Sequence, residues 1–340
     1  GGAMGPAGEC PEGALGNTGE RVIGGSLEAP SLSLAEAHVV ALRDKGFVVV
    51  DGFLSPAHAT TLREEALAFA SSGAMPAHRF QFGSLQLVKP HIFEADLHDE
   101  AMREALPGLA ELLFDDGLVS TIEAQFPELG LVHGPVGKSV KLQHNRGGGG
   151  CFPWHYDNAG RPSRRVVSCV VYLNPEWREG DGGEIVLCPF LETEVVVPPL
   201  HGRAVLFRSD RILHRVRPAA AERLCFTVWL DGTSVNSDGD CNLTSRHLST
   251  SSEAVAALCL SPVQRAISRA VYAEEYEASL SECMTGAPGA AELLEEHRAH
   301  VAKQRGHPQL GPLVEHLRDL RPREGPGTGS GGEAEELPPA

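Results

Sequence analysis

Three residues in the central part of the chain could together bind a metal ion. His155 and Asp157 form an H-x-D motif, and residues i and i+2 of an extended segment point to the same side. His214 opens a later strand-like run and could supply a third ligand. Two imidazoles and one carboxylate leave three positions open on one face of a metal, which suits non-haem Fe(II) and O₂. The sequence therefore predicts an iron site at His155, Asp157 and His214.

Each part of this pattern also has a plain structural explanation. The chain contains 15 histidines, so an H-x-D can arise by chance, and His214 taken alone is explained as well by a place in the core or a turn. A rival H-x-E occurs at 98–100. It lies at a helix start, where acidic residues are common and where positions i and i+2 diverge. We therefore expect the rival motif not to bind metal.

One arginine and one tyrosine could bind an anionic ligand beside that metal. In the run 223–230, even-numbered residues are apolar, whereas Arg223, Thr227 and Trp229 share the opposite face. An arginine inside a barrel needs an anionic partner, and the neighbouring strand-like runs supply no carboxylate. A dicarboxylate ligand would supply it. The hydroxyl of Tyr172 could share that ligand. Arg223 could instead lie in water at the barrel mouth, and Tyr172 could be an ordinary core residue.

The segments that carry these residues predict a β-rich core. Between residues 138 and 231 the chain alternates short apolar runs with turns rich in Gly and Pro. Strands separated at this spacing are typical of a sandwich or barrel. The predicted strands lie at about 138–144, 165–173, 183–188, 193–198, 203–208, 213–217 and 223–231.

The same core resembles a known family. The segments FPWHYDN, VVSCVVYLNPEW, GDGGEIVLCPF, AVLFRSDRILHRV and ERLCFTVWLDG are similar to the prolyl 4-hydroxylase branch of the 2-oxoglutarate/Fe(II)-dependent dioxygenases. Within that branch the hypoxia-inducible-factor-type prolyl hydroxylases are the most similar. The resemblance covers about residues 35–232. It implies an α+β fold with a mainly β core, a double-stranded β-helix (jelly-roll) barrel, N-terminal supporting helices and a C-terminal helical extension.

The resemblance also implies an activity. It is the hydroxylation of a prolyl residue in a protein or peptide, with 2-oxoglutarate and O₂ consumed, succinate and CO₂ released, and L-ascorbate as reductant. By resemblance, Arg223, helped by Tyr172, binds the distal carboxylate of 2-oxoglutarate. Trp229 lines the pocket near the metal, and Arg165 lies at the substrate entrance.

Two alternatives stay open. One is the same oxidative chemistry on another side chain or a small molecule, and the other is a binding module without catalysis. Loops rather than the fold set the substrate, and residues 74–93 and 241–252 are candidate lids. One departure concerns the substrate side: the chain has Gln143-His144 where the similar family members have a tyrosine.

The sequence divides into six regions. A Ser33-x-x-Glu36 capping box predicts a helix that stops at Gly46, a strand follows at 47–50, and Ser55-Pro56 opens a second helix. A third helix is predicted at about 99–126, interrupted near Pro107, and Ser261-Pro262 is expected to cap a long helix, followed by shorter ones around 290–304 and 312–320. The predicted regions are a flexible tail (1–30), a helical and strand support region (31–137), the catalytic core (138–232), a polar linker (233–260), a helical extension (261–322) and a disordered tail (323–340).

Charge and hydropathy exclude two classes of partner. The chain has 29 Lys and Arg against 45 Asp and Glu, a net charge of −16, which repels a phosphate backbone and makes nucleic acid an unsuitable partner. No apolar run is long enough to predict a membrane span. The acidity of the whole chain also predicts that a basic target segment associates faster at low salt.

The cysteines predict free thiols. None of the eight forms a C-x-x-C pair, and Cys169, Cys188 and Cys225 lie inside apolar runs. Buried thiols in a reducing compartment are therefore favoured over a disulfide framework. Together with the lack of a visible leader, this favours a cytoplasmic or nuclear location, with the secretory pathway left open.

Overall fold

Two antiparallel sheets form the centre of the molecule. The structure is a computed structural model that describes residues 32–82, 85–233 and 242–322. The strands are β1 (Phe47–Val50), β2 (Ala77–Phe82), β3 (Leu85–Asp96), β4 (Lys138–Asn145), β5 (Gly150–His155), β6 (Arg165–Tyr172), β7 (Ile185–Cys188), β8 (Val195–Val197), β9 (Ala204–Arg208), β10 (Leu213–Ala219) and β11 (Arg223–Asp231).

The strands pair into a seven-stranded major sheet and a four-stranded minor sheet. The order is β1-β9-β6-β11-β4-β3-β2 in the major sheet and β5-β10-β7-β8 in the minor sheet. Residues from both sheets share one buried cluster, which includes Val170 and Phe207 of the major sheet and Ile185 and Leu187 of the minor sheet. The sheets therefore face each other, as predicted for a jelly roll, although in the described residues they remain two sheets and do not close into one barrel.

Helices cover the outer face of each sheet. Those before β4 are α1 (Glu36–Lys45), α2 (Pro56–Ser71), α3 (Glu100–Ala105), α4 (Pro107–Glu111) and α5 (Gly117–Gln125). Those after β11 are α6 (Ser252–Cys259), α7 (Arg265–Val271), α8 (Ala273–Cys283), α9 (Ala290–Arg305) and α10 (Leu310–Asp319). The first group packs on the major sheet in one apolar cluster, and helices of the second group pack on the minor sheet in another.

The alternation predicted for β11 is present. Leu224, Phe226 and Val228 belong to the cluster under the N-terminal helices. Arg223 and Trp229 point the other way and line a cavity between the sheets. Because successive side chains of a strand alternate between its faces, burial of the apolar set fixes the direction of the polar one.

The start of α1 differs from the prediction. The helix begins at Glu36 after an N-cap at Ala35 that makes no side-chain hydrogen bond, so the Ser33 capping box is wrong. Leu32 and Leu34 are buried in the apolar cluster, and the backbone N–H of Leu32 donates to Asp115. This burial holds the segment outside the helix. The predicted stop is confirmed, because Gly46 takes the left-handed conformation with φ of 83°.

Three strands were not predicted. β2 and β3 form a hairpin that extends the major sheet through β4, within the segment suggested as a lid. Its sequence alternates apolar and polar residues on both sides of a Gly-Ser pair (FQFGSLQL, 80–87), which is a hairpin signal that the prediction did not include. β3 also contains Pro90 and His91, whose φ is 63°. β5 was expected only as an extended segment around His155. Its Gly150 and Pro153 are unusual in a strand.

The helices also differ in detail. The predicted third helix is divided among α3, α4 and α5, with α4 starting at Pro107. α6 lies in the segment predicted as a linker, and its Val255 and Leu258 are buried. The long helix predicted from Ser261 consists of a 3₁₀ turn, α7 and α8, separated at Tyr272, whose ψ of 37° ends α7. The predicted terminal tails and residues 234–241 of the linker lie outside the described residues.

One disulfide joins the minor sheet to the extension. Cys151 of β5 and Cys283 of α8 are bonded, which differs from the expectation of free thiols throughout. Cys169, Cys188 and Cys225 are free and buried, as expected. Cys10 and Cys241 lie outside the described residues. None of the described helices is both long and apolar enough to cross a membrane.

The disulfide gives the first prediction. We expect peptide mapping without reduction to recover the Cys151 peptide linked to the Cys283 peptide. Cys283→Ala should lower the free energy of unfolding by about 2–4 kcal/mol, because the link closes a long loop of chain. The matched control is Cys259→Ala, which removes a free thiol from the same extension. Complete alkylation of Cys151 and Cys283 without reductant would contradict the pairing.

Candidate metal centre and its cavity

Two strands of the minor sheet bring the two histidines together. His155 ends β5 and is paired directly with His214 of β10, so that the centroids of the rings lie 4.2 Å apart. Asp157 follows two residues after His155. Its Oδ1 lies 3.5 Å from Nε2 of His155 and 3.6 Å from Nε2 of His214. Three donor atoms therefore converge, as the H-x-D motif and the distal histidine predicted.

The backbone selects the tautomer of both imidazoles. Nδ1 of His155 lies 2.8 Å from the carbonyl oxygen of Pro153, and Nδ1 of His214 lies 3.2 Å from that of Ile212. A carbonyl only accepts, so each Nδ1 must carry the proton and donate it. The lone pair then resides on Nε2, the atom that faces Asp157. This is the usual way in which a protein orients a histidine toward a metal.

The opposite sheet holds the other oxygen of Asp157. Oδ2 accepts from the hydroxyl of Ser168 on β6 at 2.6 Å and from the indole N–H of Trp229 on β11 at 2.8 Å. Ser168 in turn is hydrogen-bonded to Ser209 at 2.8 Å. These bonds leave Oδ1 for the imidazoles. Asp157 thus connects the minor sheet, which carries the histidines, to the major sheet, which carries the donors.

The electrostatics favour protonation states that can bind a metal. Burial alone would raise the pKa of Asp157, but His214 and His155 lower it well below its ordinary value, so the carboxylate form prevails. Burial, and after it the neighbouring His214, lowers the pKa of His155 and favours the neutral ring. A neutral imidazole and an ionised carboxylate are the forms that coordinate metals.

Among the described residues, the histidine of the rival motif, His98, contacts the backbone and not a second metal-binding side chain. Nε2 of His98 lies 2.9 Å from the carbonyl oxygen of Lys138, and Asp99 caps α3 by accepting from Ala101. Within the described part of the chain, His155, Asp157 and His214 form the one group of three or more ligand-type residues that could hold an ion. Their donor set of two nitrogens and one oxygen fits Fe(II) and leaves coordination positions open.

A narrow cavity leads from these residues to Arg223. It is lined by both sheets, with Val170 and Thr227 on one side and Ile185 and Val216 on the other. Nε of Arg223 donates to the carbonyl oxygen of Gly183 at 2.9 Å, and no carboxylate among the described residues lies within ion-pair distance of its guanidinium. The predicted cation without a protein counter-ion is therefore present at the end of the cavity.

Two further residues shape the seat of Arg223. A Cβ on Gly183 would lie 2.8 Å from Cδ of Arg223, so only glycine admits the side chain there. The guanidinium carbon of Arg223 lies 5.1 Å from the centroid of the Tyr172 ring. The Tyr172 hydroxyl is buried without a hydrogen-bond partner. Because burial raises the pKa of Tyr172, that hydroxyl stays protonated and able to donate. An anionic ligand near Arg223 would satisfy both groups.

A wider cavity of about 400 Å³ opens on the other side of the metal-binding atoms, and we call it the outer cavity. Arg165 and Trp229 lie on its wall, with the guanidinium carbon of Arg165 4.1 Å from the indole centroid. The remaining walls come from the β2–β3 hairpin, β4, β5, α7 and α8. They are formed by His78, Lys89, Glu94, Lys141, Gln143, Phe152, Pro153, Trp154, Ala159, Arg269, Tyr276 and Leu280.

Sequence reasoning missed the extension part of this wall, whereas His78 and Lys89 of the hairpin lie in the segment 74–93 that it suggested as a lid. It found nothing catalytic in the C-terminal third, yet Arg269 and Tyr276 reach the outer cavity. No periodicity or spacing could have shown this, because the contact joins distant parts of the chain. The two residues at which the chain departs from similar family members have different surroundings. Gln143 lines both cavities, whereas Nε2 of His144 lies 2.9 Å from a carboxylate oxygen of Glu222.

Comparison with known proteins agrees with this geometry. A family model described as the 2OG-Fe(II) oxygenase superfamily matches residues 140–231. A solved prolyl 4-hydroxylase from Phytophthora capsici is 40% identical, covers 84% of this chain and 92% of its own, and superposes with a TM-score of 0.73. A prolyl hydroxylase from Trichoplax adhaerens, solved with a peptide fragment of a hypoxia-inducible factor, is 26% identical over 57% of this chain and 87% of its own, with a TM-score of 0.50. The comparison with curated protein sequences found no match.

The hydrogen bonds of Asp157 give the second prediction. Trp229→Phe keeps an aromatic ring but removes the N–H that donates to Oδ2. We expect metal affinity to fall about 10- to 100-fold, as for other outer partners of metal ligands. Titration with Fe(II) under anaerobic conditions measures it. Trp177→Phe, which removes an indole donor bound to Gly182 away from the metal residues, should leave that affinity unchanged. Equal affinities of the two variants would contradict the role of Trp229.

Proposed function

The chain belongs to the prolyl 4-hydroxylase branch of the 2OG-Fe(II) oxygenase superfamily, and on that premise we propose that it hydroxylates a prolyl residue of a protein or peptide. The reaction consumes 2-oxoglutarate and O₂ and releases succinate and CO₂. The observation that carries the proposal is the presence in one cavity of the three converging donor atoms and of Arg223. L-ascorbate is proposed as the reductant that keeps the enzyme active.

The metal residues fit one Fe(II). In this proposal Nε2 of His155, Nε2 of His214 and Oδ1 of Asp157 hold the ion, and their fixed tautomers and hydrogen bonds keep the three atoms aimed at one point. When bound, Fe(II) supplies the site at which 2-oxoglutarate and O₂ provide the oxidising power for a C–H hydroxylation. The protein residues position the reactants and exclude water from them.

Arg223 and Tyr172 would bind the co-substrate. The guanidinium presents a planar fork to the distal carboxylate, and the Tyr172 hydroxyl donates a further hydrogen bond. Gly183 accepts from Nε, and Sγ of Cys225 accepts from Nη1 at 3.2 Å. These bonds hold the arginine and leave the N–H groups of Nη2 to face the ligand. Thr227 and the apolar wall of Val170 and Ile185 enclose the chain of the co-substrate between the sheets.

The outer cavity would take the proline. Aromatic and apolar side chains line it near the metal residues, among them Phe152, Trp229 and Tyr276, and such walls suit a pyrrolidine ring. Arg165, stacked on Trp229, stands at the entrance and would contact the substrate backbone. The peptide bound to the Trichoplax hydroxylase supports a peptide guest. Gln143 lies where the two cavities meet and so borders both reactants.

The cysteines bear on the compartment in two opposite ways. The spacing of the cysteines predicts a cytoplasmic or nuclear location. The Cys151–Cys283 disulfide counts against it, because disulfides persist mainly in oxidising compartments.

The third prediction tests the activity. The protein is incubated in air with Fe(II), 2-oxoglutarate, ascorbate and a library of proline-containing peptides. We expect succinate release coupled to the mass gain of one oxygen atom on proline, assigned by residue-level mass spectrometry. A His155→Ala/His214→Ala double variant should lose metal and turnover, because two of three ligands are gone. His98→Ala, which alters the rival motif, should keep turnover.

Two outcomes would contradict parts of the proposal. Full iron stoichiometry in the double variant would make the metal assignment wrong. Oxidation confined to a small metabolite or to Asn, Lys or Arg side chains would replace the prolyl substrate, while the iron site would stand.

The fourth prediction concerns Arg223. Arg223→Ala should weaken 2-oxoglutarate binding by on the order of 2–5 kcal/mol, the range for truncating one side of a buried charge pair. Arg223→Lys should restore only part of the affinity, because an ammonium lacks the planar fork. Calorimetric titration measures both. The control is Arg298→Ala, an exposed arginine paired with Glu277 on the extension. Unchanged co-substrate affinity in Arg223→Ala would mean that this arginine does not bind the carboxylate.

A further inference from the structure

The outer cavity continues into a second, shallower depression beside it. This depression has a volume of about 560 Å³ and is formed by the loop between β5 and β6. Asp157, Ala159 and Arg165 line both spaces, so the two are contiguous. Together they form one open groove that passes His155 and Asp157. We call the two spaces together, with all the residues that line either of them, the groove.

The charge of the groove is opposite to the charge of the chain. Among the residues that the structure describes, three acidic ones line it, namely Glu94, Asp157 and Asp231. Twice as many cationic residues line it: Lys89, Lys141, Arg161, Arg164, Arg165 and Arg269. The chain as a whole has a net charge of −16. Cations are therefore concentrated where a substrate would bind.

Two of the three acids contribute little negative charge to a guest. Glu94 is hydrogen-bonded to His78 at 3.1 Å and to Lys141 at 2.7 Å, and so is compensated within the wall. Asp157 directs its two oxygens to the imidazoles and to Ser168 and Trp229.

Two of the cations are also discounted. Burial lowers the pKa of Lys89 well below its ordinary value, so Lys89 is left out of the count of positive charges. Lys141 is left out together with Glu94, because the two form an ion pair at 2.7 Å. The four cations that remain are all arginines, which keep their charge at any physiological pH.

We propose that the groove takes an acidic peptide segment, in which Asp or Glu residues flank the target proline on both sides. This inference rests on the proposed function and narrows its substrate class. The proline must lie over His155 and Asp157, and Asp157 is at the point where the two spaces of the groove meet. One flank of the peptide then meets Arg269, and the other meets Arg161 and Arg164.

Arginine is well suited to this recognition. Its guanidinium binds a carboxylate through two parallel hydrogen bonds, which give orientation as well as attraction. The guanidinium carbon of Arg165 lies 4.1 Å from the centroid of the Trp229 ring, and this contact places the cation at the point where the two spaces meet. A cleft lined by charges of one sign also raises the local concentration of oppositely charged guests and their rate of association.

The inference reverses the expectation drawn from the net charge, which was a basic target segment. Screening limits the range of a charge to about 8 Å at physiological salt. A peptide in the groove therefore responds to the residues that line it, and the acidic residues elsewhere on the chain act weakly.

The fifth prediction uses three peptides of equal length with one central proline. Glu, Gln or Lys residues occupy the flanking positions, and kcat/KM for hydroxylation is read by mass spectrometry. We expect the order Glu, then Gln, then Lys, with the first and last differing on the order of tenfold or more. The difference should shrink when salt is raised from about 0.05 M to about 0.5 M. Equal efficiencies would overturn the inference and leave prolyl hydroxylation standing.

Charge reversal locates the effect. In an Arg161→Glu/Arg164→Glu double variant, the ratio of the Glu to the Lys peptide should collapse or invert. This ratio is independent of the fraction of folded protein, since both peptides meet the same sample. Arg43→Glu, on the exposed surface of α1, makes a comparable change away from the groove and should keep the ratio of the parent.

Two further outcomes would overturn the inference. One is a double variant that retains the preference of the parent protein. The other is inhibition of the Glu peptide reaction by an oligothymidylate at the concentration at which a proline-free Glu peptide inhibits, because the groove would then be a general anion surface. Hydroxylation of none of the three peptides, in a preparation that hydroxylates no other proline peptide, would overturn the proposed function itself.

Discussion

The two-sided hydrogen bonding of the Asp157 carboxylate is the constraint on which the site depends. One oxygen must face two imidazoles from the minor sheet, while the other accepts from Ser168 and Trp229 on the major sheet. A buried carboxylate is costly unless it is paired and hydrogen-bonded, so the distance between the sheets has to satisfy both sets of contacts at once. The apolar cluster between the sheets keeps that distance. The metal centre is therefore a property of the paired sheets and not of the H-x-D motif alone.

The helices matter to the site because they fix which way the strands face. Leu224, Phe226 and Val228 are buried under the N-terminal helices, and this burial turns Arg223, Thr227 and Trp229 toward the cavity. A shift of one residue in β11 would reverse every side chain and place the arginine under the helices, where no anion could reach it. The extension does the same for the minor sheet, since Trp154 and Leu213 pack against its helices while His155 and His214 face inward.

The sequence predicted what depends on short spacing and alternation. The H-x-D pair, the inward face of β11 and a β sandwich or barrel follow from local patterns, whereas the jelly roll was implied by the family resemblance. The structure brings His155, Asp157, His214, Arg223, Arg165 and Trp229 around connected cavities. The sequence did not predict contacts that depend on distant parts of the chain. The helix break at Tyr272 has no Gly or Pro to mark it. The β2–β3 hairpin, by contrast, has a local signal that the prediction did not include, a Gly-Ser pair between two alternating runs. Burial of Leu32 and Leu34 overrode a sound capping motif, and no spacing could pair Cys151 with Cys283.

The residues proposed to carry out the chemistry and those proposed to select the substrate lie largely in different parts of the chain. The segment matched by the family model, 140–231, contains the metal-binding residues, Arg223 and the arginines of the β5–β6 loop. His78 and Lys89, on the hairpin, and Arg269 and Tyr276, on the extension, lie outside that segment yet form the wall opposite the loop. The Cys151–Cys283 bond attaches the extension to β5, the strand that carries His155, so this wall is held in register with the metal centre. Because the wall contributes none of the metal-binding atoms, substitutions there can change which segment is bound while leaving the geometry of His155, Asp157 and His214 intact.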